Sequence, residues 1–166
     1  EFEWRGNPEF YYTDSITDYA LRFLEEHRRL PEESPVFLYV AYYAAHWPLH
    51  ATPDDIKRYE GRYSMRCDAL RQSRYQRMIE LGIIDNSFKL SPRHPDVPAW
   101  ENAPFQNWQE RRMEVYAAQV TSMDRNIGRI IERLRHMGEF ENTIVIYQHD
   151  NGGCHVEYPP ERTGSW

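Results

Sequence analysis

The stretch TIVIYQHDNGG, Thr143–Gly153, decides how this chain reads. A β-branched apolar run stops abruptly at Asp150 and Asn151, and two glycines follow. A run without polar alternation predicts a strand buried on both faces, as in a parallel sheet. A second run of the same character, VFLYVAYYA at Val36–Ala44, predicts another. Between the two lies enough helix-forming sequence for a crossover, which makes them parallel neighbours in one sheet. The fold class expected is therefore α/β, a mostly parallel sheet flanked by helices.

The helices are predicted from apolar spacing. Ile16, Tyr19, Ala20, Phe23 and Leu24 follow the i, i+3, i+4, i+7, i+8 pattern, with Asp14 or Ser15 as N-cap and an end near Leu30. A short helix is expected over Asp54–Tyr59 and an arginine-rich one over Ser64–Leu81. A long helix runs from about Asn107 to Met137, with a stripe of Val120, Met123, Ile127, Ile130, Ile131 and Leu134 and a stop at Gly138. The proline-containing segment Asp85–Pro104 has no clear period and reads as a surface excursion.

In open α/β sheets, ligands bind outside the carboxyl ends of the strands. The residues just past the two runs are AHWPLH and HDNGG. Their order along the chain predicts His46 and Asp150-Asn151 on one sheet edge. Hard cations such as Ca²⁺ and Mg²⁺ take carboxylate and amide oxygens, and glycines permit the backbone angles that a turn around an ion demands. The alternative reading of Asp150-Asn151 is an Asx-type turn that merely caps the strand. A histidine at position 46, after small residues and before Pro48, suits anion binding or protonation of a leaving group; otherwise it is a loop histidine bonded within its own turn. His50 reads as a rim residue. His149 should point away from Asp150, and His155 carries a weaker signal. Asp124 in SMDRNIG reads as a structural salt bridge or helix contact, and Arg66, Arg71, Arg74 and Arg77 as a solvated helix face.

Composition bounds the rest. The 166 residues suffice for one domain with a sizeable core, and 40% apolar with 28% charged residues is globular. A net charge of −6, with only Lys57 and Lys89 as lysines, argues against a nucleic-acid partner. No apolar run approaches the roughly 20 residues of a membrane span. Cys67 and Cys154 supply neither a disulfide framework nor a zinc motif. The chain opens Glu1-Phe2-Glu3-Trp4 without an initiator Met and ends soon after a Gly-rich loop, as expected of an internal segment.

Five blocks in order, YYTDSITDYALRFL, PVFLYVAYYAAHWPLHATPDDIKRYEGRY, LSPRHPDVPAW, YAAQVTSMDRNIGRIIERL and NTIVIYQHDNGGC, resemble the sulfatase family of the alkaline-phosphatase superfamily, bacterial arylsulfatases above all. The resemblance implies that residues 1–166 are an internal segment of one sulfatase catalytic domain. It implies an activity, hydrolysis of small-molecule or carbohydrate sulfate esters through a hydrated formylglycine nucleophile. It implies a metal, Ca²⁺ in preference to Mg²⁺, with Asp150 and Asn151 among its ligands. His46 matches the histidine that contacts the sulfate or its ester oxygen. Export to the periplasm or the medium is expected on the same ground. CDALR at Cys67–Arg71 fits the literal Cys-x-Ala-x-Arg pattern of the nucleophile, but it follows the His46 loop and falls in a predicted helix, so Cys67 is not the expected nucleophile. The earlier acidic pair and a later lysine of the family pattern are not found, and His149 stands where Ser or Thr is usual. The rival readings are a phosphodiesterase or phosphonate hydrolase of the same superfamily, against which Asn151 argues, and a non-catalytic domain that kept the fold.

Overall fold

The computed structural model describes residues 9–31, 34–65 and 67–152. Four α-helices appear in chain order: α1 Tyr12–Arg28, α2 Pro53–Lys57, α3 Cys67–Glu80 and α4 Gln106–Met137. Single 3-10 turns lie before and after α4, at Trp100–Asn102 and Phe140–Asn142. The 32 residues of α4 form the spine, a rod of about 48 Å at 1.5 Å per residue. Gly138, at φ 77° and bonded to the Arg135 carbonyl at 3.0 Å, ends it as expected.

Helix α1 lies along the C-terminal part of α4 and runs in the same direction. Asn126 donates to Asp14 at 2.6 Å, Arg129 pairs with Asp18 at 2.5 Å, and Arg133 pairs with Glu25, so both residue series rise together. Helix α2 and the turn after it descend the spine the other way. Arg125 grips Asp55, Tyr59 meets Thr121, and the Gly61 N–H donates to Glu114 at 2.8 Å. Five-residue α2 is too short to persist by propensity. It is held by Pro53 at its first position, by the Thr52 hydroxyl accepting from the Asp55 N–H at 3.3 Å, and by the bidentate Asp55–Arg125 pair.

The buried face of α4 differs from the predicted stripe. Val115, Ala118, Ser122 and Asn126 are buried, with Met123 and Leu134, whereas Val120 is exposed. The small and polar residues win because α1 offers hydrogen-bond partners as well as apolar contact: Thr17, Ala20 and Leu24 are buried on it, while Tyr19 and Phe23 face outward. A hydrophobicity count alone cannot see which polar side chains will be satisfied.

The expected parallel sheet is not there. Among the described residues there is no strand, and the fold is helical. The run 36–43 and the run 143–149 carry no backbone ladder, and the side chains predicted to be buried are exposed: Phe37 92%, Tyr39 78%, Ile144 89% and Ile146 79%. The reason is physical. A strand exists only through a second backbone about 4.8 Å away, and β-forming side chains express a fit to a half-buried surface, not a conformation of their own. Neither run finds such a neighbour among the described residues. The first is tied instead to α1, by His27 to the Ser34 carbonyl at 2.8 Å and by Thr17 to the Tyr42 hydroxyl at 2.7 Å. Burial there pushes the Tyr42 phenol above its ordinary value.

Helix α3 has no buried residue. It is a platform for the excursion, which docks on it: Arg71 donates to the Ser91 carbonyl at 2.7 Å and to its hydroxyl at 2.8 Å, Arg93 pairs with Asp68 at 2.7 Å, and Tyr75 donates to the Phe88 carbonyl at 2.6 Å. Arg71 is thus a tether and not part of a merely solvated face.

Candidate functional site

His46 opens the segment 46–51, whose burial alternates. Trp47, Leu49 and Ala51 are buried, while His46, Pro48 and His50 are exposed. The period of two sends every second side chain into the core cluster with Val115 and Ala118, against which Ile56, Tyr59 and Trp108 pack. The outward residues are left at the surface as a direct consequence. His50 is on the rim as expected, its carbonyl accepting from the Tyr11 hydroxyl at 3.0 Å.

The imidazole of His46 has a defined attachment. Its Nδ1 lies 2.8 Å from the Trp47 carbonyl oxygen, which also accepts from the Tyr43 hydroxyl. The His46 backbone N–H donates to the Tyr43 carbonyl at 2.9 Å, and the two rings lie 5.4 Å apart. A carbonyl only accepts, so Nδ1 carries the proton in that bond. The neutral ring therefore leaves Nε2 as a free lone pair, and the charged ring leaves an Nε2–H donor. Both lone pairs of the Trp47 oxygen are used, which fixes the ring.

Asp150 and Asn151 follow the run 143–149 and are exposed. The Asn151 amide nitrogen donates to the Gly152 carbonyl at 2.7 Å, so its Oδ1, the atom a hard cation takes, is not spent in that bond. Tyr147 and His149 interact, hydroxyl to Nε2 at 2.7 Å, with the rings edge-on at 5.0 Å. Among the described residues no hydrogen bond or ion pair joins His46 to Asp150 or Asn151, and no trio of His, Cys, Asp or Glu is gathered as for a metal. With the sheet gone, the edge that was to unite them is gone too. Gly153, Cys154 and His155 lie outside the described residues.

Asp124 is exposed, and the ion pair expected of it belongs to its neighbour Arg125. Asp55 is 2% exposed. The Arg125 guanidinium, at 2.8 and 3.0 Å, holds its carboxyl below the usual range against the opposing effect of burial. TPDD in the sequence, an N-cap and proline before acids, was the available signal for this residue. Cys67 is the first residue of α3, not an interior one. Burial and the neighbouring Asp68 push its thiol up, the opposite of what activates a nucleophile. Arg112 also escaped the sequence reading. Its guanidinium lies over the rings of Trp47 and Trp108, 4.8 Å and 4.4 Å from the ring centroids.

A profile of the sulfatase family matches residues 1–165. The chain belongs to the sulfatase family. It is 32% identical to the arylsulfatase of Klebsiella aerogenes over 93% of this chain and 34% of that protein. It is 35% identical to an uncharacterized sulfatase of Schizosaccharomyces pombe over 81% of this chain and 25% of that one. A putative extracellular sulfatase Sulf-1 homolog of Caenorhabditis elegans is 24% identical over 86% of this chain and 18% of its own length. The sulfatase chain thus spans about a quarter to a third of the first two relatives. No described helix is long and apolar enough to cross a membrane.

Proposed function

We propose that this chain contributes one part of the active site of a sulfuric ester hydrolase, acting on a small-molecule or carbohydrate sulfate ester. His46 is the catalytic residue it supplies. The single observation that carries the reading is the tethered imidazole: Nδ1–H is committed to the Trp47 carbonyl, so Nε2 is presented at the surface on a buried framework. In its charged form Nε2–H donates a hydrogen bond to a sulfate oxygen or a proton to the departing ester oxygen. Stabilising charge that gathers on those oxygens is the main task of such a site.

Asp150 and Asn151 are oxygen donors of the kind a calcium ion takes, and they account for two of the six to eight ligands such an ion needs. They fit the group without completing it. When bound, the cation would neutralise charge on the sulfate oxygens. Calcium suits two exposed, adaptable donors better than magnesium, which demands a near-ideal octahedron. The formylglycine nucleophile of the resemblance is not assigned to Cys67, which follows the His46 loop in the chain. Export to the periplasm or the medium is part of the same reading, supported by the relative described as extracellular.

The test uses the full-length protein and a chromogenic aryl sulfate. His46→Ala is expected to lower kcat by about a hundredfold or more, the usual worth of a positioned proton donor. Asp150→Ala should raise the calcium concentration needed for half activity at unchanged fold. Wild-type turnover in His46→Ala, or calcium dependence unmoved in Asp150→Ala, overturns the corresponding assignment.

A further inference from the structure

We propose that Arg112 is a positioning residue for His46, acting through Trp47; this rests on the active-site reading of His46 given above. Three contacts form an unbroken chain. The Arg112 guanidinium lies over the rings of both Trp108 and Trp47. Its Nη1 also donates to Gln109 at 2.8 Å, which ties the plane to α4. Trp47, only 8% exposed, cannot turn without breaking that stack. Its carbonyl in turn accepts from His46 Nδ1.

A small cleft lies beside the stack, lined by Trp47, Leu49, Trp108, Arg111, Arg112 and Val115. Its inner space of about 20 Å³ has room for about one water. Cation–π contact to two faces at once needs a flat, delocalised cation. Guanidinium supplies this and an ammonium does not. The stack belongs to α4 on one side and to the His46 segment on the other, so the spine sets the tautomer and direction of an imidazole it does not touch.

A merely structural arginine predicts different behaviour, and the experiment separates the two. Kinetics on an aryl sulfate are measured for the full-length protein and for Arg112→Ala, Arg112→Lys, His46→Gln and the double variants. Arg135→Ala is the control, because Arg135 forms a similar stack on Phe140, 4.7 Å from the centroid and far along α4. Arg112→Ala should lose about tenfold in kcat, Arg112→Lys most of that, and Arg135→Ala nothing. In the His46→Gln background, removing Arg112 should change kcat by less than about twofold, because coupled residues do not add.

A second readout does not need turnover. The ¹⁵N shifts of the His46 ring should report the Nδ1–H tautomer in the unaltered protein and a return towards the Nε2–H form in both Arg112 variants. If Arg112→Ala does not fold, Arg112→Lys carries both measurements. Wild-type kcat in Arg112→Lys, a full Arg112 effect persisting without His46, or an unmoved His46 tautomer overturns the proposal. Loss of activity in His46→Gln with additive Arg112 losses would sink this inference alone. Wild-type activity in His46→Gln would sink the active-site reading, and this inference with it.

Discussion

The two parts of the candidate site are held in opposite ways. The His46 segment is fixed by partners far away in sequence: Tyr11 reaches the His50 carbonyl, Arg112 stacks on Trp47, and the chain runs directly into α2, where Asp55 meets Arg125. Among the described residues, the hydrogen bonds of the Asp150-Asn151 segment are local, Tyr147 to His149 and Asn151 to Gly152. On the proposed reading, the difference teaches that a proton donor and a metal ligand ask for different support. An imidazole acts only in one tautomer and one direction, so it needs a prepared frame. Cation ligands are drawn into place by the charge they bind, and exposed oxygens on a compliant backbone serve that purpose.

The contrast is broken most severely at Asp55. Asp55→Ala leaves Arg125, and with it α2, without its anchor. Losing one partner of a buried pair costs 3–5 kcal/mol, but Arg125 has 42% of its side chain exposed to water, so a loss of about 2 kcal/mol is expected. Denaturant midpoints at constant slope measure it. The acid limb gives a sharper signature. Arg125 holds the Asp55 carboxyl below its ordinary value in the folded protein. Its contribution is therefore present above the unfolded pKa near 3.9 and fades as pH falls through the lower folded value. Asp55→Asn should flatten that part of the stability profile. An unaltered acid limb would mean that the pair does not hold the loop.

A smaller effect is expected at Tyr11, whose hydroxyl donates to the His50 carbonyl and whose ring lies 5.6 Å from that of His50. Tyr11→Phe keeps the ring and removes the bond, for a cost of about 1 kcal/mol in thermal or denaturant unfolding. No change in stability would show that the far end of the His46 segment is held by packing alone.

How much of this was legible follows the same division. The helices were readable because their signals are local: Gly138 after the last turn of α4 and apolar spacing along α1. His46, Asp150 and Asn151 could be singled out because each follows an apolar run, and five collinear blocks pointed to the sulfatase family. What depends on a partner elsewhere in the chain was not readable. The runs 36–43 and 143–149 look like buried strands by composition, yet strand pairing is decided by a second backbone, and composition carries no information about one. Arg112 looked like any surface arginine, and only the approach of Trp47 from a distant segment gives it a role. Polar burial on α4 was missed for the same reason: Asn126 is buried because Asp14 comes from α1 to meet it.

The smallest effect tests the exposed run itself. Ile144 and Ile146 would each contribute roughly 1.5–3 kcal/mol if fully buried. At 89% and 79% exposure, neither has given up much contact with water. The double substitution Ile144→Ser and Ile146→Ser is therefore expected to change stability by less than about 0.5 kcal/mol, the ordinary range for surface positions. Removing as much apolar surface from Leu24, 2% exposed on α1, should cost several times more. If the serine pair costs above about 1 kcal/mol instead, those isoleucines are buried in solution, and the run leading to Asp150 is anchored as firmly as the one leading to His46. A null result keeps the two halves distinct: β-forming composition marks where a segment could be covered, and only measured burial shows that it is.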